Sequence, residues 1–159
     1  MKIRSLFAAS ILSGVVLVST NSLHAEPMVL TEDVIQRYTA IFPQYWRILM
    51  ELDSTSKMKD GEAKDTKVNG LIERRNQLLT SNGWEDFSEF QEADGRIVRA
   101  IVPLNMIQKF KDHPEPDRQK VEETVTEQLK DYSAEEIALL KKNLVRITKM
   151  REKALAGAK

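Results

Sequence analysis

Apolar residues return at helical spacing along most of this chain, and that period constrains the fold more than any other feature. From Thr31 onward, Val34, Ile35, Tyr38, Ile41, Phe42, Tyr45, Ile48, Leu49 and Leu52 fall on one broad stripe. A helix carrying such a stripe must bury it against other elements. Thr31 is a good N-cap, and Glu32 and Asp33 place negative charge where a helix N-terminus favours it. Pro43 cannot donate to the carbonyl of Thr39 and its ring clashes there, so a kink is expected. Asp53-Ser54-Thr55-Ser56 favours turns and ends the helix.

The same period predicts four further segments. A helix over about 64–80 carries Val68, Leu71, Ile72, Leu78 and Leu79. Gly70 weakens it by roughly 1 kcal/mol relative to alanine. Ser81-Asn82-Gly83 stops it, with Gly83 free to turn left-handed. Trp84 then opens a stretch with Phe87, Phe90, Ile97, Ala100, Ile101, Leu104, Ile107 and Phe110 on one face. Pro103 makes this one kinked helix or two shorter ones. His113-Pro114-Glu115-Pro116 is a clear break. Val121, Val125 and Leu129 mark a helix over 117–129. Ser133 to Glu136 is a capping box, with Tyr132 and Ile137 as its hydrophobic staple. A last helix over about 134–154 follows through Ile137, Leu140, Leu144 and Ile147, and Gly157 ends it. No segment alternates with period two. The expected fold is all-α, a small antiparallel bundle of four or five helices, some kinked at proline.

Residues 1–25 follow a different logic. Lys2 and Arg4 make a short basic start, Leu6 to Val18 is almost wholly apolar or small, and Ser19, Thr20, Asn21 and Ser22 lead to Ala25. That order predicts a secretory signal peptide cut after Ala25, although Leu23, two places before Ala25, is bulkier than the usual Ala-x-Ala pattern has there. The apolar run is about 13 residues, against roughly 20 for a membrane span, so no stable transmembrane anchor is expected after cleavage. Lys2 and Arg4 are not adjacent, so a twin-arginine signal is not indicated. The product is then one helical domain over 26–159, secreted, with a bacterial periplasm as its destination. The chain has no cysteine. Its fold must rest on packing, and thiol nucleophiles, zinc–thiolate sites and thiol redox work are excluded.

The chain holds 24 basic and 24 acidic residues. Losing Lys2 and Arg4 leaves a slight acidic excess, the wrong sign for a nucleic-acid binder. Charge is sharply patterned even so. Residues 112–136 hold nine acids against three bases, while residues 137–159 hold seven bases against Glu152 alone. A turn at Asp131-Tyr132-Ser133 is expected to fold these helices back antiparallel, acid beside base, at about 0.3–0.5 kcal/mol per exposed pair. A second reading makes Lys141, Lys142, Arg146 and Lys149 a patch for an anionic partner, such as a lipid head group or cell-wall polymer.

Catalytic and metal signatures are scarce. His24 belongs to the signal, which leaves His113 in a proline-bounded loop without Glu-x-x-His or His-x-x-x-His spacing. There is no calcium loop and no nucleophile motif, so no metal or cofactor is expected. The carboxylate pairs Glu32-Asp33, Glu85-Asp86, Glu122-Glu123 and Glu135-Glu136 diverge by about 100° on a helix. Three of the four sit at helix starts, where the dipole accounts for them.

The aromatic residues are more informative. They cluster as Tyr38, Phe42, Tyr45, Trp46 and as Trp84, Phe87, Phe90. They are either core packing or the lining of a groove opened at Pro43 or Pro103. In the groove reading Tyr38, Phe42, Trp46, Trp84 and Phe87 hold a peptide or apolar ligand. Trp46 lies about 100° from Tyr45, towards the edge of the stripe, and is the ring expected to be exposed.

A small, cysteine-free, secreted helical chain resembles the periplasmic stress chaperones of the Spy type in outline. Their Leu-Thr-x-x-Gln motif is met here only by Leu30-Thr31, the glutamine being absent from Glu32-Asp33-Val34. A match of two residues transfers no function. The leading expectation is a non-enzymatic binding, adaptor or chaperone-like protein whose partner is an unidentified protein or envelope component. The alternatives are a carrier of a small apolar ligand and a carboxylate-based hydrolase. An exposed apolar concave face marks the first, an enclosed cavity the second, and two converging carboxylates with raised pKa values the third.

Overall fold

The computed structural model describes residues 28–157, so the expected signal peptide lies outside the described residues. Those residues form five helices and no strand: α1 (Glu32–Thr55), α2 (Glu62–Thr80), α3 (Phe87–Phe110), α4 (Glu115–Gln128) and α5 (Ala134–Ala156). The fold is the all-α bundle that the spacing predicts.

Local chemistry sets the helix ends. Thr31 Oγ1 accepts the Val34 N–H at 3.2 Å, and Asp86 Oδ1 accepts the Glu89 N–H at 2.9 Å. Each satisfies a backbone donor that the first turn leaves open. At α5 the capping box is closed: Ser133 Oγ accepts the Glu136 N–H at 3.1 Å, and Glu136 Oε2 accepts the Ser133 N–H at 2.9 Å. α1 continues through Pro43 and α3 through Pro103, so the third segment is one helix. Each proline removes one backbone bond. Buried apolar residues on both sides of it hold the flanking turns in place.

Three helices make the core. α1 supplies Ile35, Tyr38, Ile41, Phe42, Tyr45 and Ile48, α3 supplies Phe90, Ala93, Ile97, Ala100 and Leu104, and α5 supplies Leu140, Leu144 and Ile147. α2 adds only Leu71 and Leu79, and α4 only Val125. These two helices are outer struts. α2 runs antiparallel to α1, with Arg74 2.8 Å from Glu51 near one end and Gly83 bonded to Arg37 at the other. α4 runs antiparallel to α3, bringing Arg118 and Val121 beside Phe110 and Ile107. α5 lies against both α1 and α3. It points the same way as α1: Lys142 meets Glu32, Arg146 meets Thr39, and Arg151 covers Phe42.

The acid-beside-base hairpin expected of α4 and α5 is therefore not formed. α4 packs on α3, and none of its Cα atoms comes within 8 Å of α5. Apolar area decides the matter. Burying a leucine or isoleucine side chain contributes about 1.5–3 kcal/mol, and α5 buries Leu140, Leu144 and Ile147 against α1 and α3. An exposed ion pair offers about 0.2–1 kcal/mol, so the stripe overrides the charge pattern.

The link from α2 to α3 turns on a left-handed glycine. Gly83 sits at φ 81°, its N–H bonds the Thr80 carbonyl at 3.2 Å, and the Trp84 N–H bonds the Leu79 carbonyl at 3.2 Å. This is a Schellman closure, and Leu79 and Trp84 supply its buried apolar contact. Arg37 of α1 reaches across, donating to the Gly83 carbonyl while its guanidinium lies 4.6 Å above the Trp84 ring. A Cβ on Gly83 would be left-handed and would meet Arg37 Cδ at 3.3 Å. Gly70, in the middle of α2, has open space around it. Two alanine substitutions should thus move stability in opposite directions. Gly83→Ala should cost about 1–2 kcal/mol, and Gly70→Ala should add roughly 1 kcal/mol, read as shifts in denaturant midpoint.

Candidate functional site

The two aromatic clusters, separate in sequence, merge into one box. Phe90 is its centre: its ring lies 5.7 Å from Tyr38, 4.4 Å from Tyr45 and 5.1 Å edge-on from Trp84. Tyr38, Phe42 and Trp84 are buried in the core. Phe87 is half-buried, 6.4 Å from Tyr45 and covered by Arg75 at 3.8 Å. Trp46 is also half-buried. It stacks on Phe42 at 6.1 Å and leaves the core at its edge. Of the five residues assigned to a groove, Trp46 alone lines a recess of substantial size.

That recess runs between the C-terminal half of α1 and the end of α5, is partly open to solvent, and measures about 870 Å³. Pro43, Trp46 and Met50 form one wall and Met150, Ala154 and Ala156 the other, with Arg47, Glu51 and Lys153 at its rim. It lies where α1 and α5 pack side by side. The spacing of Trp46 flags its α1 wall. Nothing in the sequence flags Met150 opposite, because that pairing crosses more than a hundred residues.

Two polar anchors hold the helices that carry this groove. In the first, Tyr38 Oη donates to Asp94 Oδ1 at 2.6 Å, and Arg151 bonds both Tyr38 and Asp94. Burial, with the Asp94 charge adding to it, pushes the Tyr38 phenol above its ordinary range. Burial likewise pushes the Tyr45 phenol up to about 12. Neither phenol serves as a base near neutral pH. The second anchor is an ion pair of Arg96 with Glu136 at 2.8 Å, both side chains nearly buried. Glu136 Oε1 also accepts the Leu30 N–H at 2.9 Å. Tyr132 donates to the Arg96 carbonyl at 2.7 Å, and its ring lies 4.6 Å below the Arg96 guanidinium.

The basic residues assigned to an anionic partner remain on the surface of α5. Lys142 reaches Glu32 at 3.1 Å, and Arg146 donates to the Thr39 hydroxyl. Lys141 and Lys149 have no ion-pair partner among the described residues. His113 is exposed, its ring 4.5 Å from Phe110. Among the described residues no group of three or more His, Asp or Glu is placed to hold a metal, and no helix is long and apolar enough to cross a membrane. The chain matches no family model, and no curated protein or solved structure matches it.

Two measurements test this arrangement. Burial alone would raise the Glu136 pKa, but the Leu30 and Ser133 N–H groups and Arg96 together outweigh it and hold the carboxyl below its usual 4.5. A carboxyl depressed by folding stabilises fully above its unfolded pKa and loses that contribution as pH falls through the folded value. Glu136→Gln should cost about 3 kcal/mol at neutral pH by stranding Arg96. It should also flatten the fall in stability below about pH 4.5. For the indoles, Trp84→Ala should cost about 3–5 kcal/mol. Iodide should quench Trp46 selectively, so that Trp46→Phe leaves a blue-shifted, poorly quenched protein.

Proposed function

We propose that this protein is a non-enzymatic binding protein of the cell envelope that takes an apolar segment of a polypeptide partner into the α1–α5 groove. The observation that carries this reading is a half-buried tryptophan facing a recess with a methionine on each wall. Tryptophan offers a large rigid surface at little entropic cost, the profile of a binding anchor. Methionine is unbranched and soft, so Met50 and Met150 adapt to side chains of different shape. Charged residues at the rim fit the usual anatomy of such a contact, an apolar centre ringed by polar groups. The recess is partly enclosed and partly open, so a segment of chain can enter it. The basic, apolar and polar order of residues 1–25 supports export.

Binding and location are tested separately. An amphipathic helical peptide with leucines at helical spacing should blue-shift Trp46 emission and shield it from iodide. Replacing Trp46 with alanine should weaken that peptide by about 2 kcal/mol, roughly thirtyfold. The reading fails if the peptide binds Trp46→Ala as well as it binds the parent. For location, the protein recovered by osmotic shock should begin near Glu26, and an intact Met1 on a membrane-bound species would refute export.

A further inference from the structure

The fold leaves two helices of opposite charge on separate faces. α4 exposes Glu122, Glu123 and Glu127 around a shallow hollow with Gln119 and Thr126. α5 exposes Lys141, Lys142, Arg146 and Lys149, with Val145 standing 54% exposed among them. Within one chain these faces do not meet, since α4 contacts α3 and not α5. Their internal neutralisation is partial. Glu127 pairs with Lys130 and Lys142 with Glu32, whereas Glu122, Glu123, Lys141 and Lys149 form no ion pair among the described residues.

We propose that the protein associates with further copies of itself, the acidic face of α4 on one copy seating against the basic face of α5 on the next. Charge complementarity carries this inference. The ridge needs an acidic helical surface, and the chain presents one of similar spacing, with carboxylates at i, i+1 and i+5 against cations at i, i+1, i+5 and i+8. Val145, at the centre of the ridge, gives the contact one apolar point. Each copy carries both faces, so the contact either repeats head-to-tail or closes reciprocally about a two-fold axis, α4 on α5 and α5 on α4. It is also small. A helix of 14 residues laid on another buries less than the roughly 1,200 Å² of a stable interface, so the association is weak and sensitive to salt. It is independent of the Trp46 groove, whose lining residues it does not use.

Sedimentation of residues 26–159, which hold the whole described core, tests it. In about 20 mM NaCl the average mass should rise with concentration, and in about 0.5 M NaCl the association constant should fall at least tenfold. Two charge-reversed chains, Glu122→Lys with Glu123→Lys and Lys141→Glu with Lys149→Glu, should each stay monomeric alone. Mixed, they should associate, because each supplies the face the other has lost. Circular dichroism matching that of the parent confirms that both are folded. A parent chain that stays monomeric in low salt overturns the proposal, as does a mixture no heavier than its parts. Cosedimentation of such a monomer with phosphatidylglycerol vesicles, lost in Lys141→Glu/Lys149→Glu, would assign the ridge to an anionic surface instead.

Discussion

The carboxylate of Glu136 is the point at which three remote parts of the chain are joined. One oxygen takes the Leu30 N–H from the strand of chain entering α1 and the Arg96 guanidinium from α3, and the other takes the Ser133 N–H that starts α5. A buried charge of this kind is costly unless its partners are all in place. It therefore selects one register for α5 against α1 and α3, where apolar stripes alone tolerate several. The Tyr38, Asp94 and Arg151 cluster fixes the same three helices at a second level. With both set, Phe90 can fill the middle of the core, and the last turns of α5 come to rest opposite Trp46.

Periodicity and caps made the helices readable. Thr31 and Ser133 announce their helices because a side-chain oxygen one residue before a periodic run has little else to do. Gly83 announces the turn because few other residues take its backbone angle. The partners of the helices were far less legible. Both anchors join residues forty or more positions apart, and no local spacing marks Arg96 or Asp94 as different from any other charged helical residue. The groove is half legible for the same reason: Trp46 stands out at the edge of its stripe, while Met150 looks like one more apolar position on α5. The expected pairing of α4 with α5 went astray because charge is the conspicuous pattern there and apolar area the stronger force.

That separation of charge from packing gives the bundle two kinds of surface. Where stripes are wide, on α1, α3 and α5, the helices are committed to one another. Where they are narrow, on α2 and α4, the helices lie on the outside and carry polar residues that the core does not need. α4 is the extreme case, with a single buried residue, and its sequence is correspondingly free to serve contacts beyond the chain.

The parallel docking of α5 on α1 also governs when the protein can fold. The first helix finds its main partner in the last, across contacts 107 to 113 residues apart. A ribosome adding roughly 5–20 residues each second releases α1 well before α5 exists. During that interval the stripe from Val34 to Ile48 has only α2 and part of α3 against it, and neither anchor that needs α5 can close. Contacts of such long range are slow to form even once the chain is complete. The chain thus cannot complete its core until its final helix arrives, so folding is delayed to the end of synthesis.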